Sequence, residues 1–252
     1  MKVQEIQKKQ EASKHNKILE LKNVTMDFGG LRAVDDVSIS VNKGELRGLI
    51  GPNGAGKSTI FKLIMGLYTP SSGRIYFNNK DITKLSTWER ARTGMSIKMQ
   101  IPGVFGELSG YENMRIAAQN FNSMSEIDNE ILRLSKLVGI DDLLDSEVNN
   151  LSHGQQQWLE IAMTLASKPE LLLLDEPVAG MGPEETAFTA QIVKRLNEEG
   201  ISIIFIDHDM EFVKQISQQI TVLHQGKLFA EGNITEIENN KDVIDIYLGT
   251  EV

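Results

Sequence analysis

The stretch GPNGAGKST, residues 51–59, matches the phosphate-binding pattern G-x-x-x-x-G-K-[ST]. The short apolar run LRGLI (46–50) precedes it and is typical of a buried strand, while the helical pattern STIFKLIMGL (58–67) follows it. Glycines let successive backbone N–H groups turn toward a polyphosphate at the positive end of a helix dipole. The alternative is a glycine-rich turn with a solvated lysine, and the strand–loop–helix context disfavours it.

Each position of this loop has an expected contact. Lys57 would reach the β- and γ-phosphates of a bound nucleotide, and the hydroxyl of Ser58 would bind Mg²⁺. The other loop residues expected to touch the nucleotide are Asn53, Gly54, Ala55, Gly56 and Thr59.

Two kinds of strand pattern occur along the chain. Alternating runs, such as ILELKNVTM (18–26) and VDDVSISV (34–41), predict a small antiparallel sheet near the N-terminus that also includes RIYF (74–77). The continuous apolar runs LLLL (171–174) and ISIIFI (201–206) resemble LRGLI and predict parallel strands buried on both faces. The fold class expected is therefore α/β.

Helical patterns fill the region between the central strands. From about residue 88 to residue 167 the sequence reads as successive helices, including YENMRIAAQN, SEIDNEILRLSKLVG and GQQQWLEIAMTLAS, and it has no linker of an independent domain. This predicts a helical subdomain at about 88–167, inserted into one domain of residues 18–252. Residues 1–17 are expected to form a polar, frayed or weakly helical tail.

Two carboxylates follow a central strand in LLLLDEP (171–177). The strand would place Asp175 and Glu176 at the carboxyl edge of the sheet, where open α/β sheets hold their ligands. Asp175 is then the expected outer ligand of Mg²⁺, and Glu176 is positioned to polarise an attacking water. A solvated strand end is the alternative for such a pair, and the phosphate loop argues against it.

Two further polar residues are placed near the same edge. His208, in IIFIDHDM, ends a parallel strand and would contact the γ-phosphate; a histidine bonded only to backbone is the alternative. Gln100 lies at the predicted passage into the helical subdomain. An isolated glutamine carries little information by itself.

The stretch LSHGQQQWLE (151–160) predicts the start of a helix. Ser152 followed by Gln155 is a capping-box pattern, and four apolar residues with helical spacing predict a buried face: Trp158, Ile161, Ala162 and Leu165. A well-capped structural helix accounts for this pattern. A capped helix start beside a glycine is also an anion site, although the phosphate loop already provides one for the chain's own nucleotide.

Composition restricts the possible functions. The 252 residues are 40% hydrophobic, which suffices for one large α/β domain, and none of the apolar runs reaches the length of a membrane span. The chain contains no cysteine, and its four histidines lack metal-ligand spacing. The formal charge of −9 argues against nonspecific binding to nucleic acid or to anionic lipid, so membrane association would require a protein partner.

The order of these motifs resembles that of the nucleotide-binding subunits of ATP-binding cassette (ABC) transporters. The phosphate loop, Gln100, LSHGQ, LLLLDEP and His208 follow one another as in that family, and the resemblance extends over residues 18–252. It implies a P-loop NTPase (ABC ATPase) core with an N-terminal antiparallel β-subdomain and an inserted α-helical subdomain. It also implies ATP hydrolysis with ATP and Mg²⁺ as cofactors.

The resemblance implies roles for residues that patterns alone leave open. In a head-to-tail dimer, Ser152 and Gly154 of one subunit would close over ATP bound at Lys57 of the other. Gln100 would contact Mg²⁺ or the attacking water and lie beside the groove for a transmembrane partner. Phe28, in MDFGG, falls where the family stacks an aromatic ring on adenine; a core phenylalanine is the alternative.

The sequence is most similar to the ATPases of branched-chain amino acid and urea importers, the urea branch being the closer. This implies a peripheral subunit at the cytoplasmic face of the plasma (inner) membrane, bound to transmembrane permease subunits and paired with itself or a paralogue. A solute-binding protein would act indirectly, and no nucleic acid is expected. The rivals are a lipid or lipopolysaccharide exporter ATPase, a soluble cassette ATPase acting on ribosomes or DNA, and a P-loop kinase, which would not explain LSHGQ.

Two positions depart from the family's common pattern. His153 replaces the usual glycine at the third signature position, and AGMG, residues 179–182, replaces the more usual aspartate-containing loop. Their effect is left open, as are the transported substrate and the choice between a homodimer and a heterodimer.

Overall fold

The computed structural model describes residues 16–101 and 103–248, so most of the predicted tail, residues 1–15, lies outside it. Its strands are β1 (Lys17–Phe28), β2 (Leu31–Asn42), β3 (Leu46–Ile50), β4 (Ser72–Phe77), β5 (Lys80–Asp81), β6 (Met95–Lys98), β7 (Leu171–Asp175), β8 (Ser202–Ile206), β9 (Gln219–His224) and β10 (Lys227–Gly232). The helices are α1 (Lys57–Met65), α2 (Thr87–Arg92), α3 (Gly110–Ala118), α4 (Ile127–Val138), α5 (His153–Leu165), α6 (Pro183–Glu198), α7 (Met210–Ile216), α8 (Ile234–Glu238) and α9 (Lys241–Leu248).

These strands form two sheets within the described ranges. The first is antiparallel with the order β2-β1-β4-β5, as the alternating runs near the N-terminus predict. The second has the order β10-β9-β3-β8-β7-β6, and its strands are parallel except for the β9–β10 hairpin. The parallel strands bring their carboxyl ends to one edge, which is where the candidate site lies.

The continuous apolar runs of the central strands are explained by two separate cores. Leu172 and Leu174 of β7 pack in a cluster that includes helices α3 to α7. Leu171 and Leu173 of the same strand point to the opposite face, where α1 and the antiparallel sheet cover them. Because alternate side chains of the LLLL run enter different cores, every position of that run is apolar.

The predicted range of the helical subdomain, about 88–167, requires a correction. Strand β6 lies inside that range and pairs in parallel with β7, so it belongs to the central sheet. Helices α3, α4 and α5 therefore follow Lys98, between β6 and β7. The sequence did not reveal β6 because MSIK alternates Ser96 and Lys98 with apolar residues and lacks the continuous run of the other central strands.

A buried ion pair at the amino end of β3 was not predicted from LRGLI. The side chain of Arg47 is 8% exposed; its Nε donates to Oε1 of Glu45 at 2.5 Å, and its guanidinium also donates to Thr221 at 2.9 Å and to Glu231. These acceptors satisfy the buried charge, which would otherwise be costly. The cluster lies at the end of the strand away from the phosphate loop.

Helix α6 offers a test of local stability. Its N-cap, Gly182, provides no side-chain hydrogen bond, has φ −75° and ψ 169°, and a Cβ added there would meet nothing within 4 Å. We expect Gly182→Ser to stabilise the protein by about 0.5–1 kcal/mol, because a serine caps the helix and restricts the unfolded chain. Thermal unfolding should show a Tm higher by about 1–4 °C.

The matched control is Gly200→Ser. Gly200 also has open space around it, but its φ of +96° is unfavourable for any side chain. This variant should lower the Tm. A Gly182→Ser protein that melts at or below the wild-type temperature would contradict the capping argument.

Candidate active site

A cavity of about 700 Å³ opens at the carboxyl edge of the central sheet. It brings together eleven of the residues predicted to form the site. They are Phe28, Asn53, Gly54, Ala55, Gly56, Lys57, Ser58, Thr59, Gln100, Glu176 and His208. Its wall also includes Leu31, Arg32, Ala33 and Gln225, which no motif indicates and which are close in sequence to Phe28 or to the β9–β10 turn.

The geometry of the loop fits a polyphosphate. Gly51, Gly54 and Gly56 all have positive φ, and a Cβ on Gly51 would collide with the carbonyl oxygen of Leu223. Helix α1 then begins without a side-chain cap, so its first N–H groups are not occupied by a cap of that kind. A helix N-terminus of this kind, preceded by a glycine-rich loop, is suited to bind phosphate oxygens.

Lys57 is the cation of this loop. Its side chain is mostly buried, and Nζ donates to the carbonyl oxygens of Gly51 at 2.7 Å and Pro52 at 3.0 Å. Burial lowers the pKa of Lys57, while the charges of Glu176 and Asp175 oppose that shift. The ammonium group can therefore exchange loop carbonyls for phosphate oxygens without leaving the cavity.

Glu176 is held on both carboxylate oxygens by residues distant in the sequence. Gln100 Nε2 donates to its Oε2 at 2.9 Å, and His208 Nε2 lies 3.4 Å from its Oε1. The backbone of Glu176 is in the left-handed region, with φ 50°, and its N–H donates to the carbonyl of Ile206 at 2.8 Å. Only a few per cent of non-glycine residues adopt this conformation, and functional turns are among the places where it occurs.

Asp175 is the last residue of β7, directly before Glu176, and is 6% exposed. Burial raises the pKa of Asp175, the negative charge of Glu176 raises it further, and nearby lysines oppose the shift. No cluster of three or more His, Cys, Asp or Glu able to hold a metal ion occurs in residues 16–101 and 103–248. The Asp175 carboxylate and the Ser58 hydroxyl are oxygen donors, the ligand type that Mg²⁺ takes together with substrate phosphates.

A family model described as ABC transporter matches residues 34–179, more than half of the chain. The chain belongs to the ABC transporter family. The resemblance predicted from the motifs is thereby confirmed, and so is the ABC ATPase fold. The chain is an ATP-binding subunit of this family and a transport-coupled ATPase.

Known members with different transport roles are similar to this ABC ATPase. A probable branched-chain amino acid transport ATP-binding protein, LivG, from Archaeoglobus fulgidus is 34% identical over 93% of this chain and 96% of its own. The lipopolysaccharide export system ATP-binding protein LptB of Escherichia coli K12 is 35% identical over 92% of this chain and 97% of its own. Sequence similarity alone therefore does not separate import from export.

A solved structure of a related cassette supports the fold. It is a dimeric post-hydrolysis state of the ATP-binding cassette MJ0796 bound to ADP and Pi, with a TM-score of 0.77 and 26% identity. The alignment covers 86% of this chain and 99% of that cassette.

In this ABC ATPase, Ser152 and Gly154 lie outside the cavity wall formed by the described residues. Ser152 caps α5 by accepting a hydrogen bond from the Gln155 N–H at 3.2 Å, and Gln155 Oε1 accepts from the Ser152 N–H at 2.9 Å. The predicted capping box is thus present. The helix start is exposed at Ser152, whereas Gly154 is buried.

The two departures from the family's common pattern contact each other. His153 Nε2 lies 3.1 Å from the carbonyl oxygen of Ala179, and a Cβ added to Gly180 would lie 3.3 Å from the same ring. A larger residue at position 180 would therefore press on His153. The sequence could not show this contact because the two motifs are far apart along the chain.

Asp207 is a positioning residue that the sequence did not single out. It is 5% exposed, and its carboxylate accepts hydrogen bonds from the N–H groups of His208 at 2.7 Å, Asp209 at 2.9 Å and Val178 at 3.4 Å. Burial raises the pKa of Asp207, and these N–H groups oppose the rise. Asp207 thereby orients the turn that carries His208. The sequence feature that indicates Asp207 is its position directly after a predicted parallel strand, like that of Asp175 at the end of LLLL.

Among the residues that the structure describes, no helix combines the length and apolarity needed to span a bilayer.

Proposed function

We propose that this ABC ATPase hydrolyses ATP to drive an importer of urea or of branched-chain or other amino acids. The observation that supports the chemistry is the Glu176 carboxylate, placed at the phosphate cavity between Gln100 and His208. The support for import is the resemblance to LivG-type subunits. In this proposal the chain binds to the cytoplasmic face of the plasma membrane through permease subunits.

The proposed reaction uses the residues in distinct ways. The loop N–H groups and Lys57 hold the β- and γ-phosphates, and Phe28, which is 39% exposed, stacks on adenine. Glu176 orients or deprotonates the attacking water, while His208 contacts the γ-phosphate. Ser58, Asp175 and Gln100 would hold Mg²⁺, which supplies charge neutralisation to the phosphates. Phosphoryl transfer requires mainly this positioning and neutralisation.

The active unit in this proposal is a head-to-tail dimer. Neither Ser152 nor Gly154 lines the cavity of its own chain, and Ser152 is exposed, so this helix N-terminus can complete a second subunit's site. The dimeric state of the similar MJ0796 cassette supports the pairing of two subunits. The second subunit is another copy of this chain or a paralogue.

The loop that follows Gln100 is suited to contact the membrane subunits. Ile101 is 81% exposed and Phe105 is 53% exposed, although both are large apolar residues. Exposed apolar side chains next to a catalytic loop favour a protein partner. A permease docked on this loop would therefore affect the position of Gln100, which donates a hydrogen bond to Glu176.

Lipopolysaccharide export is the second candidate, and its support is the 35% identity to LptB. The two candidates differ in their membrane partners and in the direction of transport. Both use the same ATPase chemistry. A test of function must therefore identify the partner and measure flux.

We expect the tagged chain, purified in mild detergent from the cells that produce it, to carry permease subunits identifiable by mass spectrometry. Reconstituted vesicles that contain the solute-binding protein should then show ATP-dependent import of radiolabelled urea or leucine. Ile101→Asp should release the permease, whereas Leu132→Asp, at a matched exposed apolar residue on α4, should retain it. Recovery of a lipopolysaccharide export permease, with no solute uptake, would reject the importer proposal in favour of the exporter.

A further inference from the structure

Lys98 is a buried cation that the proposed reaction does not use. It ends β6, two residues before Gln100, and its side chain is fully buried (0% exposed). A buried ammonium group is costly unless it is paired. Its Nζ donates to the carbonyl oxygens of Met99 at 3.0 Å and Asp175 at 3.4 Å, and it lies 3.7 Å from Oε2 of Glu160. The three N–H groups of the lysine thus face acceptors on three segments: the loop after β6, strand β7 and helix α5.

Glu160, the acidic partner of Lys98, lies on helix α5. Its side chain is 8% exposed, and its Oε1 accepts a hydrogen bond from the Gly103 N–H at 3.0 Å. Its Oε2 has no hydrogen bond to the described residues, so Lys98 at ion-pair distance is the cation that offsets its charge. Helix α5 is the helix that begins at the exposed signature turn around Ser152.

The loop that carries Gln100 is therefore held at both ends by one ion pair. Lys98 binds the carbonyl of Met99 on one side of Gln100, and Glu160 binds the N–H of Gly103 on the other. Lys98 also binds the carbonyl of Asp175, the residue before Glu176. The same pair thus fixes the two strand ends from which Gln100 and Glu176 extend.

We propose that Lys98 and Glu160 form a positioning pair that keeps Gln100 in contact with Glu176 and connects both to helix α5. This inference rests on the catalytic roles proposed for Glu176 and Gln100. Neither member of the pair lines the cavity, so both act through the residues they hold. A displacement of the helical subdomain would move Glu160, and through Lys98 it would alter the Gln100–Glu176 hydrogen bond.

The test uses Lys98→Met and Glu160→Gln in the full-length ATPase. Each change removes one charge with little change of shape, and we expect kcat to fall about tenfold while KM for ATP changes by less than about twofold, because misplacement affects the transition state. Lys98→Met/Glu160→Gln should be no slower than Lys98→Met, because the pair acts as a unit. Hydrogen exchange at the amides of residues 99–101 and 103 should be faster in all three variants.

Arg47→Met is the matched control for a merely structural effect. It breaks the buried ion pair at the other end of the central sheet and should lower the Tm at least as much, with kcat unchanged when measured on folded protein. If Lys98→Met does not fold, Glu160→Gln decides alone. Values of kcat within about twofold of wild type, or losses equal to that of Arg47→Met at equal folded fraction, would overturn the positioning pair.

Measurement of Glu176→Gln beside these variants distinguishes a wrong catalytic assignment from a wrong positioning pair. If that variant hydrolyses ATP normally, the proposed catalytic assignment is wrong, and the positioning pair loses its basis. If Glu176→Gln is inactive while Lys98→Met and Glu160→Gln are both normal, only the positioning pair is wrong.

Discussion

Glu176→Gln should bind ATP with unchanged affinity but hydrolyse it at least about a hundredfold more slowly, which is the range expected for loss of a general base. Glutamine has nearly the same shape as glutamate, so the turn at φ 50° and the walls of the cavity should be preserved. The amide cannot accept a proton from water. The measurement is steady-state phosphate release together with equilibrium binding of ATP.

The control for this prediction is Glu184→Gln. Glu184 is an exposed acidic residue in the first turn of α6 and does not line the cavity. Its replacement removes the same charge from the same chain and should leave turnover at the wild-type value. A near-normal rate for Glu176→Gln would assign water activation to another group, and His208, 3.4 Å from Glu176, would be the first residue to examine.

The contacts of Gln100 and His208 with Glu176 make the reaction sensitive to the arrangement of the whole sheet edge. Gln100 reaches Glu176 from the end of β6, and His208 reaches it from the end of β8, on the other side of β7. The three residues are far apart in the sequence, and the parallel sheet brings them together. A small shift of one strand end therefore changes the orientation of the carboxylate.

The phosphate loop could be predicted from the sequence because its function depends on local spacing. Gly56, Lys57 and Ser58 are adjacent, and the helix that follows them fixes their geometry. The same holds for the capping box at Ser152, where the two partners are three residues apart. Such features require no knowledge of how distant segments pack.

Residues that act through tertiary contacts could not be predicted in this way. Lys98 and Asp207 are ordinary polar residues in the sequence, and only the pairing of β6, β7 and β8 makes them buried neighbours of the site. Arg47 lies within the apolar run LRGLI, and nothing in that run indicates its buried ion pair. Its acceptor Glu231 lies on β10, far along the chain. The contact between His153 and Ala179 likewise depends on the packing of α5 beside the loop after β7.

Ser152→Arg should abolish ATP-dependent pairing of subunits while the isolated subunit still binds ATP. An arginine at an exposed helix start would place a bulky side chain where a second subunit's nucleotide is proposed to bind, and Ser152 does not line the cavity of its own chain. Pairing can be measured by size-exclusion chromatography with light scattering, in a Glu176→Gln background so that ATP persists. Without ATP, the Glu176→Gln protein should elute as a monomer whether or not it also carries Ser152→Arg.

The substitution also removes a helix cap, and Ser109→Arg controls for that effect. Ser109 caps α3 through the same capping box, with Glu112 in place of Gln155, so its loss should cost a similar amount, about 1 kcal/mol. It is not part of the proposed interface, and this variant should still pair with ATP. Equal loss of pairing in both variants would indicate a destabilised helical subdomain. Loss of ATP binding by the Ser152→Arg monomer would instead place Ser152 at its own nucleotide and contradict the composite site.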